Sequence, residues 1–179
     1  MSSWPAGRGR KHCHARQVSP PEHWNLRDLV AVVDAGPKAV SSLDGHRRAL
    51  TSPYYRTRQH QLPRRLEEVH QALRERDFER LATVVEAEAI DLHCVAMTSV
   101  PPIFYWRPGT LAVLEAVRAL RTEGIPACST IDAGANVHVL CPAEAEAAVL
   151  ARLEGLGAVR SVIRDGVGQG PVVETGHLI

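Results

Sequence analysis

At 179 residues, with 45% hydrophobic and 23% charged side chains, the chain is long enough to bury a core and too apolar for a disordered tail. Its 21 Lys and Arg nearly cancel its 20 Asp and Glu, and aromatic residues are only 4%, so the basic face and stacking platforms of a nucleic-acid binder are absent. No apolar run is long enough to cross a bilayer, and no hydrophobic signal segment is visible. The 4 cysteines (Cys13, Cys94, Cys128 and Cys141) are too scattered for a zinc knuckle or a disulfide framework, which predicts reduced thiols and a cytoplasmic location.

Residues 1–16 are basic and rich in Gly and Ser, with Arg8, Arg10, Lys11 and Arg16 close together and no periodic apolar pattern. Residues 1–23 are therefore expected to be a lead-in, either weakly ordered or the remnant of a preceding domain, and residues 24–179 one domain. The run Lys11-His12-Cys13-His14 has metal-binding side chains, but adjacent ligands do not close a tetrahedral site unaided, so no metal site is expected.

Leu29-Val30-Ala31-Val32-Val33 is rich in β-branched residues and reads as a buried strand, ended by Asp34-Ala35-Gly36-Pro37. A segment carrying Lys38, Ser41, Ser42, Asp44, Gly45 and His46 leads towards a helix. A cation, hydroxyls and free backbone N–H groups can hold phosphate oxygens; the same residues also make an ordinary polar loop with capping serines, and composition leaves both readings open.

Two helices follow. One is marked by Leu62, Leu66, Val69 and Leu73. The other is capped by Asp77 and striped by Phe78, Leu81, Val84, Val85, Ala89 and Leu92, with Glu86, Glu88 and Asp91 expected on its solvated face and His93 and Cys94 as packing residues. Pro101 and Pro102 then forbid helix, and Phe104, Tyr105 and Trp106 form an aromatic cluster that serves either as core or as a pocket wall bearing Thr98 and Ser99.

Pro108 opens a third helix that Gly124 stops. Residues 127–131 and 137–141 predict a hairpin around Asp132-Ala133-Gly134-Ala135-Asn136. Asp132 there is either a turn former or a reactive carboxylate, and the segment alone does not decide. A fourth helix after Pro142, a strand at 159–163, a glycine-rich loop at 165–171 and an extended piece with Val172 and Val173 complete the chain. The order predicts an α+β fold, a ferredoxin-like antiparallel sheet packed against helices mostly on one face.

Thr98-Ser99-Val100-Pro101-Pro102 with Tyr105, followed by Thr130-Ile131-Asp132-Ala133-Gly134-Ala135-Asn136, resembles paired signatures of the diphosphomevalonate decarboxylases of the GHMP kinase superfamily. Lys38-Ala39-Val40-Ser41-Ser42-Leu43-Asp44-Gly45-His46, with Thr51, Ser52 and Arg58, resembles that family's phosphate-proximal loop and the helix after it. The glycine loop, Glu174 and His177-Leu178-Ile179 resemble its ending. One departure is Ala135, where the family usually has Pro.

The resemblance implies a GHMP kinase C-terminal domain fold, ATP and Mg2+ as cofactors, and decarboxylation of diphosphomevalonate after phosphorylation of its 3-hydroxyl. Phosphomevalonate is the alternative substrate. It implies Asp132 as the catalytic carboxylate beside that hydroxyl, with Lys38, Ser41, Ser42 and Ser99 near the substrate. It covers only the family's second half: the ATP-binding glycine/serine loop and the Gly-Ser-Ala-Arg-Ser type segment are not found. A separately encoded N-terminal half is one expectation from this, and a catalytically silent truncated or interaction module is the other. Exposed apolar surface would favour a homodimer.

Overall fold

The computed structural model describes residues 1–3 and 15–169. The Lys11 to His14 run, the last two residues of the glycine-rich loop, Val172, Val173, Glu174 and the terminal His177-Leu178-Ile179 lie outside them. A short ladder, β1 (Ser2–Ser3) with β2 (Arg16–Gln17), precedes the main sheet. That sheet has four antiparallel strands in the order β4-β5-β3-β6, built from β3 (Leu26–Val32), β4 (Cys128–Thr130), β5 (Val137–Pro142) and β6 (Ser161–Gly166).

Side-chain alternation decides what each face of the sheet does. Leu29 and Ala31 on β3 stand opposite Val139 and Val137 on β5, and all four are fully buried. They pack with Val113, Val117 and Leu120 of α4 (Pro108–Thr122) and with Val149 and Leu153 of α5 (Glu146–Glu154). The alternate face carries Asp28, Val30, His138 and Ile163, and Ile163 is 57% exposed. The sheet is thus covered by α4 and α5 on one side, and its other side is partly open.

The remaining helices are α1 (Ser42–Ala49), α2 (Tyr55–Glu75) and α3 (Phe78–Met97). The local stop and start signals act as expected. Asp77 accepts from the Arg80 N–H as the cap of α3, Pro108 is the first residue of α4, and Gly124 takes φ +82 after α4.

Three expectations change. Glu86, Glu88 and Asp91 do not form a solvated face, because α3 is covered on two sides. Towards α2, Glu88 and Asp91 each hold the Arg65 guanidinium at 2.5 Å, and Glu88 also holds Arg58. Towards α4 and β4, Glu86 accepts from Arg121 and from the Ser129 N–H. Arg65 is only 8% exposed, so its charge needs those two carboxylates, whereas Leu66, expected on the apolar stripe, is 45% exposed. The fourth helix does not start at Pro142, which ends β5; a single turn of 3-10 helix at Ala143–Ala145 comes between them. The last strand runs to Gly166, so Asp165 and Gly166, expected in the glycine loop, pair with Asp28 and Arg27.

Candidate active site

The turn between β4 and β5 is held by hydrogen bonds from β3 and α4. Ile131 is buried, and the chain then reverses at Asp132, where the Gly134 N–H donates to the Asp132 carbonyl at 2.7 Å. Asn136 Oδ1 accepts from the N–H groups of both Val33 and Asp34 at 3.0 Å, which fastens the turn to the end of β3. One residue earlier, the fully buried Thr110 donates to the Ala135 carbonyl at 2.6 Å while accepting from the Arg107 N–H. The start of α4 and the end of β3 therefore hold two adjacent residues of the turn, and the Asp132 side chain is left exposed.

His93 of α3 packs behind this turn, 1% exposed, with its ring centroid 6.0 Å from Tyr105 and 5.1 Å from Trp106. Burial lowers its pKa below the ordinary imidazole value, opposed by the neighbouring backbone of Ile131 and Asp132 and by the Asp132 charge. A neutral ring results. His93 is a packing residue, as expected from the sequence.

Asp132 lies where two lobes of one cleft meet. The outer lobe, about 420 Å3, has Val30 and His138 on its floor and Asp34, Lys38, Arg107 and Gly134 around it. The inner lobe, about 360 Å3, is lined by Ser42 and His46 of α1 and by Arg58 of α2. Lys38, Tyr105, Asp132 and Ala133 border both.

Lys38 reaches the turn because position 134 has no side chain: a Cβ there would stand 3.4 Å from Lys38 Cε and 3.7 Å from Nζ. Tyr105 is 9% exposed, and its hydroxyl is buried with no partner among the described residues. Burial raises its pKa above the usual phenol value. The hydroxyl lies against α1, where a Cβ on Gly45 would approach it to 2.7 Å.

The five residues singled out from sequence are placed unequally. Asp132, Lys38 and Ser42 line the cleft together. Ser41 caps α1: its hydroxyl accepts from the Asp44 N–H at 3.1 Å and donates to Asp44 Oδ2 at 2.9 Å. Ser99 is not among the lining residues. It is 2% exposed, and its hydroxyl serves the carbonyls of Ala96 and Pro101 at 2.8 and 3.0 Å, where it closes the loop after α3.

Tyr105, Asn136, His138 and Arg107 line the outer lobe as well; of these the sequence offered only Tyr105 a role, as core or pocket wall. Asn136 and Tyr105 stood inside the quoted motifs. His138 carried no signal beyond its place in a strand facing away from the core. Cys128 and Cys141 take no part: burial pushes their thiols up to about 12 and about 11, so both stay protonated near neutrality.

The family profile described as the mevalonate 5-diphosphate decarboxylase C-terminal domain matches residues 28–164, a span that includes every cleft residue named above. The chain belongs to this family. It is 35% identical over 130 residues to the diphosphomevalonate decarboxylase of Schizosaccharomyces pombe, covering 70% of this chain and 33% of that protein. It superposes on the mevalonate diphosphate decarboxylase from Enterococcus faecalis with a TM-score of 0.82 and 30% identity, covering 93% of this chain and 51% of that one. A solved structure titled "MDDEF in complex with MVAPP, AMPPCP and Magnesium" matches at TM-score 0.84 and 32% identity, over 93% of this chain and 52% of the other. The chain thus spans about a third to a half of the curated relatives it matches and about half of the solved chains.

Of the ATP and Mg2+ that the family implies, the donors present bear on the Mg2+ alone. Among the described residues no group of three His, Cys, Asp or Glu side chains is placed to hold a metal alone. Asp34 and Asp132 do face the same lobe, and one or two carboxylates completed by phosphate oxygens are the usual protein share of a Mg2+ site. Among the described residues, no helix is long and apolar enough to cross a membrane.

Proposed function

We propose that this chain supplies the carboxylate side of the active site of an ATP-dependent diphosphomevalonate decarboxylase. The observation that carries the reading is the exposed Asp132 carboxylate, fixed on a clamped turn at the junction of two lobes with Lys38 beside it.

Loss of carbon dioxide from a 3-hydroxy acid has no carbonyl to accept the electron pair, so the tertiary hydroxyl has to become a leaving group first. ATP, when bound, supplies the phosphoryl group that makes it one. Asp132 would hold the hydroxyl in line and take its proton as the oxygen attacks. Lys38, a mobile point charge on an exposed loop, would balance the phosphate charge gathering around the carboxylate. Ser42 would offer its hydroxyl, and the first turn of α1 its free N–H groups, to the substrate's own phosphates in the inner lobe, with Ser41 setting the start of that helix. Asp34 and Asp132 would share a Mg2+ that lowers the repulsion between phosphates.

The test is ATP-dependent release of carbon dioxide from diphosphomevalonate and, separately, phosphomevalonate, by the chain joined to an N-terminal half that carries the nucleotide loop. Asp132→Asn is expected to lower turnover by about 10² to 10⁴ with unchanged circular dichroism and melting temperature. Near-parental turnover in that variant overturns the assignment, and the faster of the two substrates identifies the phosphate number.

A further inference from the structure

The open face of the sheet holds a polar pair that the mechanism above does not use. Asp28 on β3 is aligned with Leu140, and His138 on β5 with Val30, so both side chains project from the same face as diagonal neighbours. His138 Nδ1 lies 2.8 Å from Asp28 Oδ2. The other carboxylate oxygen, Oδ1, is buried with no partner among the described residues. A carboxylate in that position is stabilised by a positive neighbour, and His138 is the one it touches. The hydrogen bond from Asp28 raises the His138 pKa above the ordinary imidazole value; burial opposes the rise, and the Asp28 and Asp132 charges add to it.

The rest of the imidazole belongs to the cleft. His138 is a floor residue of the outer lobe. With Nδ1 engaged by Asp28, Nε2 is the ring nitrogen left for a ligand, and no protein group among the described residues meets it. The charges around it are Asp28 and Asp34 from β3 and its end, Asp132 from the turn, Lys38 from the loop, Arg107 from the start of α4, and Asp165, aligned with Asp28 on β6. Arg107 is 3.8 Å from Asp34 and partly balanced by it. A phosphoryl group beside Asp132 brings like charges together, so it needs cations on both flanks. Lys38 supplies one from above the turn. His138 is placed to supply the other from the sheet.

We infer that His138, anchored by Asp28, is an oxyanion-binding residue that takes a phosphoryl oxygen next to Asp132 in the outer lobe. The inference rests on the proposed function and divides the cleft further: the α1 lobe holds the substrate's own phosphates, and the His138 lobe holds the phosphoryl group in transit.

The experiment uses the chain labelled with nitrogen-15, with inorganic pyrophosphate as the probe and the imidazole resonances as the readout. Saturable shifts at His138 Nε2 are expected, with a higher His138 pKa in the bound state, because ligand and proton binding are linked reciprocally. His138→Asn should weaken pyrophosphate about tenfold near pH 6, the value of one charge-assisted hydrogen bond, and the effect should shrink towards pH 9 as the ring gives up its proton. Asp28→Asn should move the pH midpoint of binding downwards.

Lys38→Ala should weaken the probe at both pH values, which locates it in this cleft. Pyrophosphate binding that depends on Lys38 and leaves the His138 resonances unmoved overturns the inference. So does the absence of saturable binding, or a His138 response to mevalonate without one to pyrophosphate. The parental ring signals decide the matter even if a variant fails to fold. A His138 response without carbon dioxide release in the joined protein overturns the proposed function and leaves the phosphate site standing.

Discussion

Asn136→Ala tests whether the Asp132 turn is positioned by the end of β3. The substitution removes one oxygen and frees two N–H groups, those of Val33 and Asp34, each now 3.0 Å from it. A net hydrogen bond is worth about 0.5 to 1.5 kcal/mol, and a buried donor left unpaired costs about 1 to 3 kcal/mol. Both contacts are partly buried, so water reaches some of the lost sites, and the expected loss is about 2 to 3 kcal/mol. For a chain of this size that is a fall in melting temperature of about 4 to 12 °C.

Asn136→Asp keeps an oxygen at the same place and should lose under about 1 kcal/mol. Urea unfolding of the three proteins gives the energies, and amide exchange at residues 133–136 shows whether the loss is local to the turn. If Asn136→Ala stays within about 0.5 kcal/mol of the parent, or if the Asp variant falls as far as the Ala variant, the clamp is not what holds the turn.

Gly45→Ala should destabilise although an alanine inside a helix normally gains about 1 kcal/mol over glycine, because its Cβ would meet Tyr105 Oη at 2.7 Å; in a Tyr105→Phe background that oxygen is gone and the same change should stabilise. A double-mutant cycle with additive effects would refute this contact. Asp28→Asn should matter most in mild acid. The folded pKa of His138 is raised, so the pair's stabilisation is fully present below the unfolded value of about 6.5 and is lost as pH rises through the folded value. With side chains 38% and 31% exposed, the difference between parent and variant should be about 0.5 to 1 kcal/mol near pH 6 and fade as pH rises through the folded His138 value. His93, whose pKa is lowered, acts in the opposite sense as pH falls but is common to both proteins, so the difference between their urea midpoints isolates the pair.

What the sequence made legible follows rules that act within a few residues. The Asp77 cap, Pro108 at the start of a helix, Gly124 just past its end and the apolar run of β3 each depend on local backbone geometry or local periodicity. The fold class followed from their order; Asp132 and Lys38 stood out by residue type, and the family resemblance is what gave them catalytic and phosphate-proximal roles.

Residues whose partners are distant in sequence were not legible. Arg65 sits among expected surface positions, and its burial depends on carboxylates 23 and 26 residues away on another helix. Asp28 and His138 are separated by 110 positions and meet only through the β3–β5 register. Ser99 read as a pocket hydroxyl, since nothing in sequence shows that the chain after α3 folds back so that the carbonyls of Ala96 and Pro101 accept from it.

The clamping of the turn also accounts for how it tolerates alanine at position 135. A proline there would stiffen the chain by about 0.4 to 1 kcal/mol through the unfolded state. The buried Thr110 hydroxyl on the Ala135 carbonyl, at 2.6 Å, contributes a similar amount in the folded state. Stiffness in this turn therefore comes from α4, β3 and α3 converging on it. An exposed carboxylate then stands on a base whose position is set by the core, while the lysine facing it comes from an exposed loop. That division suits the proposed phosphoryl transfer, in which the acceptor hydroxyl must be held in line while a cation balances the phosphate charge.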